Sequence, residues 1–312
     1  MEKKVLFTAI AVFCLLIIGV GVFCGIFFYE DNQIEYIVND TLPDGQGKKA
    51  TIILLAGQSN ASGCSRDDCL KENISSEKYA EYEAGYDNVY INYFATGTNQ
   101  SNGFVKCSVK QGEAGGFFGP ELGMAEKLNE HFPNETFFIV KYAWGGSNLH
   151  KQWLSPSSRG MTGELYRHFV KYVETSIEYL TSKNYDVKIE GLCWMQGESD
   201  AILVEHAESY ETHLNNFISD VRKQFAPYSA DDGIAFIDAY IADNPEFWIY
   251  CDLVNEAKLN IAESSPINCV IDTSDLVTTN EPADNPDIAH YDSLSGIALG
   301  NRFAEDLSKF FD

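Results

Sequence analysis

Positive charge is scarce in this chain. Lys and Arg number 22 against 46 Asp and Glu over 312 residues, a formal net charge of -24. Such a surface repels a phosphate backbone, which argues against nucleic acid as a partner. No Cys or His spacing matches a metal site, so neither a metal nor any other cofactor is expected. Internal repeats and low-complexity tracts are absent. What remains is 45% hydrophobic residues over a length that suits one large globular core.

Long apolar runs are also few, and one of them stands out. Met1-Glu-Lys-Lys4 is followed by 25 uncharged residues, Val5 to Tyr29. As a helix this run is roughly 37 Å long, enough to cross a bilayer with some tilt. It ends in Phe27-Phe28-Tyr29-Glu30-Asp31, without the small-x-small exit of a cleaved signal. Lys3 and Lys4 before the run keep the amino terminus cytosolic. The expectation is a cytosolic tip and signal-anchor over 1–29, a polar stalk over 30–49, and a lumenal or extracellular domain over 50–312. The alternative is a cleaved signal and a secreted protein. Asn39, Asn73, Asn99 and Asn134 head N-glycosylation tripeptides. Six cysteines lie beyond the apolar run, with Cys64–Cys69 and Cys251–Cys269 as pairs by proximity and Cys193 as a buried thiol.

The chain is organised around Thr51-Ile-Ile-Leu-Leu-Ala-Gly-Gln-Ser-Asn60. A continuous apolar run that stops at Gly and small polar residues reads as a buried parallel strand delivering a turn at its carboxyl end. Further strands are expected at 136–144, 188–195, 234–240 and 268–272. Helices are expected from 118, and over 162–182, 206–225, 247–261 and 294–311. Residues 64–117 show no clear period beyond short strand-like pieces such as 89–94. Strand and helix alternating five times predict an α/β fold, a parallel five-stranded sheet with helices on both faces. In such sheets ligands sit at the carboxyl ends of the strands. Three of those ends carry Gly57-Gln-Ser-Asn60, Gly145-Gly-Ser-Asn148 and Gln196-Gly-Glu-Ser-Asp200.

A serine nucleophile needs a base and a group that orients the base. His131, His168, His206 and His213 fall on helical stretches at solvated positions, and His150 follows the Gly-Gly-Ser turn. His290, in Asp284-Asn-Pro-Asp-Ile-Ala-His-Tyr-Asp292, lies on a loop between the last strand and the last helix. Asp287, three residues earlier, can reach its Nδ1, with Asp284 and Asp292 as competing partners. The Ser59 amide, the Gly146 amide and the Gln196 side chain are candidate oxyanion donors. Gln58, Asn60 and Ser147 are candidates for binding substrate or supporting the site, and Glu198 for orienting its neighbours at the rim. The arrangement is not a Gly-x-Ser-x-Gly elbow, because Ala61 stands where the second glycine belongs.

Gly57-Gln-Ser-Asn60, Gly145-Gly-Ser147 with Trp153 after it, Trp194-Met-Gln-Gly-Glu-Ser199 and Asp287-Ile-Ala-His290 occur in this order. Together they resemble the SGNH-hydrolase superfamily. Within it they resemble the carbohydrate acetylesterases of the sialate O-acetylesterase and acetylxylan esterase group (carbohydrate esterase family 6). The resemblance covers roughly 50–312. It implies a three-layer, flavodoxin-like α/β/α fold, no metal, and a triad of Ser59, His290 and Asp287, with Gly146 and Gln196 completing the oxyanion hole. The expected activity is removal of O-acetyl groups from carbohydrate, either an acetylated polysaccharide or sialic acid. The rivals are an esterase or lipase acting on another ester, and a glycan-binding protein without activity.

Overall fold

Nine residues, Lys49–Gly57 (β1), form the strand on which the sheet is centred, and every one after Lys49 is buried. A strand buried on both faces must be covered by helices on both sides. Its parallel neighbours are Phe137–Ala143 (β3) and Asp186–Met195 (β4). Beyond β4 lie Ala235–Ala239 (β5) and then Asn268–Ile271 (β6), both parallel. Beyond β3 lies Val89–Ala95 (β2), also parallel. The order across the sheet is therefore β6-β5-β4-β1-β3-β2, with Asn99–Gln100 and Val105–Lys106 added antiparallel to β2. The computed structural model describes residues 35–311 apart from 97–98, 245 and 279–280, and one compact unit runs Val38–Asp312.

The five expected strands are all present, and β2 makes a sixth parallel strand. It comes from the segment whose period could not be read. That segment is an ordered part of the domain, with helices at Asp67–Asn73 and Ser76–Ala84 that are too short to show a repeat. The larger helices are Glu121–His131 (α2), Glu164–Ser182 (α3), Val204–Gln224 (α4), Cys251–Glu263 (α5) and Ser293–Leu307 (α6). Helix α3 packs over β3 and β4, α4 packs on α5, and α2 packs on α6.

A buried ion pair, Lys141 Nζ to Glu121 Oε2 at 2.8 Å, ties β3 to α2 with neither side chain exposed. Residues 38–48, inside the expected stalk, pack on the domain. Leu42 is buried, and the backbone N–H groups of Thr41 and Leu42 donate to the Tyr179 hydroxyl. The expected anchor over 5–29 lies outside the described residues. Among the described residues no helix is long and apolar enough to cross a membrane.

The cysteine pairs proposed on proximity are not formed. Cys64, Cys69, Cys107, Cys193, Cys251 and Cys269 are free thiols. Cys64 Sγ is turned to Glu113 Oε2 at 2.9 Å instead. Cys251 opens α5 while Cys269 lies within β6, so closeness in sequence does not bring their side chains together. Cys193 is buried, as expected.

Candidate active site

The register of the sheet gathers the loops. Gly57 pairs with Ala143 and with Met195, and Ala95 with Ala143, so β1, β2, β3 and β4 all end on one line. The turns that follow begin side by side at the carboxyl edge of the sheet. Gly57 has φ +141°, and a Cβ there would lie 2.0 Å from the Met195 carbonyl oxygen. Only glycine permits β1 and β4 to approach so closely at this point. The chain then enters a single helical turn, Ser59–Ser62 (α1), of which Ser59 is the first residue. Its N–H therefore has no carbonyl one turn back to bond to. Ser59 is 8% exposed.

Asn60 connects three loops. Its Nδ2 donates to Glu198 Oε1 at 2.9 Å, and its Oδ1 accepts from the Tyr291 N–H at 3.2 Å. The residue after Ser59 is thereby tied to the residue after His290. His290 Nδ1 lies 2.7 Å from Asp287 Oδ2, which leaves Nε2 free to face the other way. No hydrogen bond joins Ser59 to His290 among the described residues; such bonds are often long before a substrate binds. Asp287 also accepts from the Ala289 N–H at 3.0 Å. Burial pushes its carboxyl up, but the His290 and backbone hydrogen bonds outweigh this and hold it below the usual carboxylate value. Of its two competitors, Asp292 caps α6 by accepting from the Ser295 N–H at 2.7 Å, and Asp284 is exposed.

The turn after β3 is held from several sides. The Gly145 N–H donates to Thr96 Oγ1, at the end of β2, and Thr96 Oγ1 also contacts Ser62 Oγ in α1. Ser147 Oγ donates to the Trp144 carbonyl at 2.6 Å and accepts from Trp153 Nε1 at 2.8 Å, with the indole fully buried. Gly146, at φ +65°, is exposed, and a Cβ there would meet open space.

Gln196 does not fit the oxyanion role expected of its side chain. It has no exposed surface, and its Nε2 donates to Asp200 Oδ2 at 2.6 Å, with the Ser147 carbonyl at 3.1 Å and Gln58 Oε1 at 3.2 Å. An amide nitrogen has two hydrogens, and both are engaged inside the protein. The side chain brackets the three turns together, and Tyr210 holds it from beneath through its hydroxyl. Gln58 belongs to the same bracket, since its Oε1 also faces the Gly197 and Ser199 N–H groups.

Glu198 is not at the rim, where it was expected, but buried at 2% exposure. Its Oε2 has no hydrogen-bond partner among the described residues. Burial raises its pKa, opposed by hydrogen bonds and by the nearby charges of Lys258 and His290.

Asp200 was not singled out from the sequence. Its carboxylate is fully buried and accepts from the Leu149 N–H at 2.8 Å, the His150 N–H at 3.0 Å and Gln196 Nε2. It fixes the segment that carries Gly146 and Ser147. His150, His206 and His213 form a cluster rather than occupying separate solvated positions. The first two rings stack at 4.0 Å, and the third lies 5.4 Å from His150. Helix α4 places His206 and His213 two turns apart on one face, toward His150, a contact no local pattern reveals.

The chain matches the family model for "carbohydrate esterase, sialic acid-specific acetylesterase" over residues 49–309. A probable carbohydrate esterase of Arabidopsis thaliana is 29% identical over 154 residues, 49% of this chain. That alignment spans about half (51%) of the plant protein. The solved structure of an Arabidopsis thaliana protein superposes with a TM-score of 0.61 at 21% identity, covering 86% of this chain and all of that one. The crystal structure of NanS superposes with a TM-score of 0.62 at 17% identity, covering 86% of this chain and 98% of that one. A carbohydrate acetylesterase from Xanthomonas citri superposes at 0.54 and 17% identity, covering 83% of this chain and 56% of that one. These likenesses show the fold, and the family match shows the lineage: the chain belongs to the carbohydrate esterase, sialic acid-specific acetylesterase family.

Proposed function

We propose that this carbohydrate esterase removes O-acetyl groups from sugars by a serine mechanism, with Ser59 as nucleophile, His290 as base and Asp287 as the group that orients the base. The observation that carries this reading is the Asp287–His290 pair at 2.7 Å, on a loop tied through Asn60 to the turn that presents Ser59. An ionised Asp287 keeps the proton on Nδ1, so Nε2 is the basic nitrogen. Nε2 takes the Ser59 proton as Oγ attacks the acetyl carbonyl. The Ser59 and Gly146 N–H groups receive the developing oxyanion, each worth about 10²–10³ in rate. The tetrahedral intermediate collapses, the sugar oxygen leaves with the proton from His290, and an acetyl-Ser59 ester remains. Water, deprotonated by the same nitrogen, then releases acetate.

Gln196 and Asp200 act in this scheme by holding the Gly146 turn, Gln196 through the Ser147 carbonyl and Asp200 through the backbone of residues 149–150. Residues 5–29 would anchor the domain to a membrane on its lumenal or extracellular side. A fluorophosphonate probe tests the catalytic assignment. It is expected to label Ser59 in the wild type and to leave Ser59→Ala unmodified; a wild type that resists labelling would favour a binding protein without activity.

A further inference from the structure

A cavity of about 250 Å³ borders Asp287 and His290. It is smaller than the roughly 300–1,000 Å³ usual for drug-sized ligands, which suits a single sugar unit better than a lipid chain. Its charge is one-sided. Glu281, Asp287 and Asp292 line it, with Arg66 opposite them and His290 beside Asp287.

The carboxylates accept hydrogen bonds from neighbouring donors. Glu281 accepts from the Ser293 N–H at 2.7 Å, Ser293 Oγ at 2.8 Å and Asn73 Nδ2 at 2.6 Å. Asp292 accepts from the Ser295 N–H, and Asp287 from the Ala289 N–H and His290. Arg66 is already neutralised. Its guanidinium is gripped at both ends by Asp68, with Nε 2.9 Å from Oδ1, and it lies over the Phe117 ring at 5.9 Å. The Asp68 carboxylate offsets its charge, so its pull on a second anion is weakened.

From this geometry we infer that the cavity beside His290 accepts an uncharged acetylated sugar and rejects one that bears a carboxylate. The inference rests on the esterase reading and narrows its substrate to neutral acetylated glycans over sialic acid. Three carboxylates repel a substrate carboxylate, and the Asp68-paired Arg66 offsets this only in part, while the same oxygens accept hydrogen bonds from sugar hydroxyls. Neither the fold nor the family match decides between these substrates; the lining of this cavity favours one.

The test compares O-acetylated sialic acid with its own methyl ester, which masks the carboxylate and alters little else. Each is measured as a substrate and as a competitor of acetyl-dye hydrolysis, beside an acetylated xyloside. At low salt the methyl ester is expected to exceed the free acid by about tenfold in kcat/KM, or in competing affinity, and the gap is expected to narrow as salt screens the cavity. Asp292→Asn keeps a competent helix cap. It is expected to raise use of the free acid about threefold relative to that of its methyl ester. A free acid that matches or exceeds its methyl ester would overturn this inference alone. Loss of all turnover, including that of the dye, would remove the esterase reading and this inference with it.

Discussion

Replacing Asp200 with Asn probes how the buried frame supports the chemistry. The carboxylate accepts three hydrogen bonds, two on Oδ2 from Leu149 N–H and Gln196 Nε2 and one on Oδ1 from His150 N–H. An amide keeps one acceptor oxygen and turns an NH₂ group toward at least one of these donors. Leaving a buried donor unsatisfied costs about 1–3 kcal/mol, and the surviving bonds fall from charged to neutral strength. Part of this is offset, because burial raises the Asp200 pKa against the opposing hydrogen bonds, so its ionised form carries a desolvation cost that Asn removes. The net loss of stability is therefore modest, about 1–3 kcal/mol, or about 2–12 °C in Tm for a domain of this size. The loss of rate is larger. The residues released, 149 and 150, follow directly on the turn that carries Gly146, the proposed oxyanion donor, and displacing such a donor costs about 10²–10³ in kcat. The assay pairs a thermal melt with kcat and KM on an acetyl dye. A variant that melts with the wild type and keeps kcat within about threefold would refute the reasoning.

Asp287→Asn should leave the fold intact and lower kcat by about 10⁴-fold, the scale seen when a base loses its orienting carboxylate, because the amide favours the wrong imidazole tautomer; kcat on an acetyl dye and a melt read the two effects separately, and a variant with near-normal kcat would remove Asp287 from its role. Glu198→Gln tests the buried acid. Burial raises the pKa of Glu198, so the folded protein holds that proton more tightly than the unfolded chain does. The contribution to stability is present below the ordinary carboxylate range and is lost as pH rises through the raised value. A glutamine that still accepts from Asn60 Nδ2 is therefore expected to raise Tm at about pH 8 and to give no gain near pH 4. The same shift at both pH values would contradict this account.

The strands were legible because β1, β3 and β4 are short apolar runs that stop at glycine or polar residues, and β5 is a short run rich in apolar residues, a local signal. Strand β2 was recognised only as a strand-like piece. Its flanking helices are short, and the residue that shows its value to the site, Thr96, matters only through contacts with Gly145 and Ser62. Ser59, Asp287 and His290 could be proposed from spacing and loop position, since a carboxylate three residues before a histidine can reach it on a tight loop. The jobs of Gln196 and Asp200 could not. Whether a buried amide points at a substrate or at a neighbouring turn depends on what packs around it, here Tyr210, Gln58 and the Ser147 carbonyl. An acid within Gly-Glu-Ser-Asp at a strand end was the one available signal for Asp200. The histidine cluster was misread for a similar reason. A helical position facing a distant loop looks, in sequence, like one facing water.

Acetate release by residues 38–312, the compact unit, measured on an acetyl dye and on acetylated xyloside beside Ser59→Ala, tests the central claim most directly. Rapid release by the wild type, with loss of roughly 10⁴-fold or more in the folded variant, is the predicted result. A Ser59→Ala protein that keeps most of its activity, or a folded wild type that releases no acetate from either, would contradict the account.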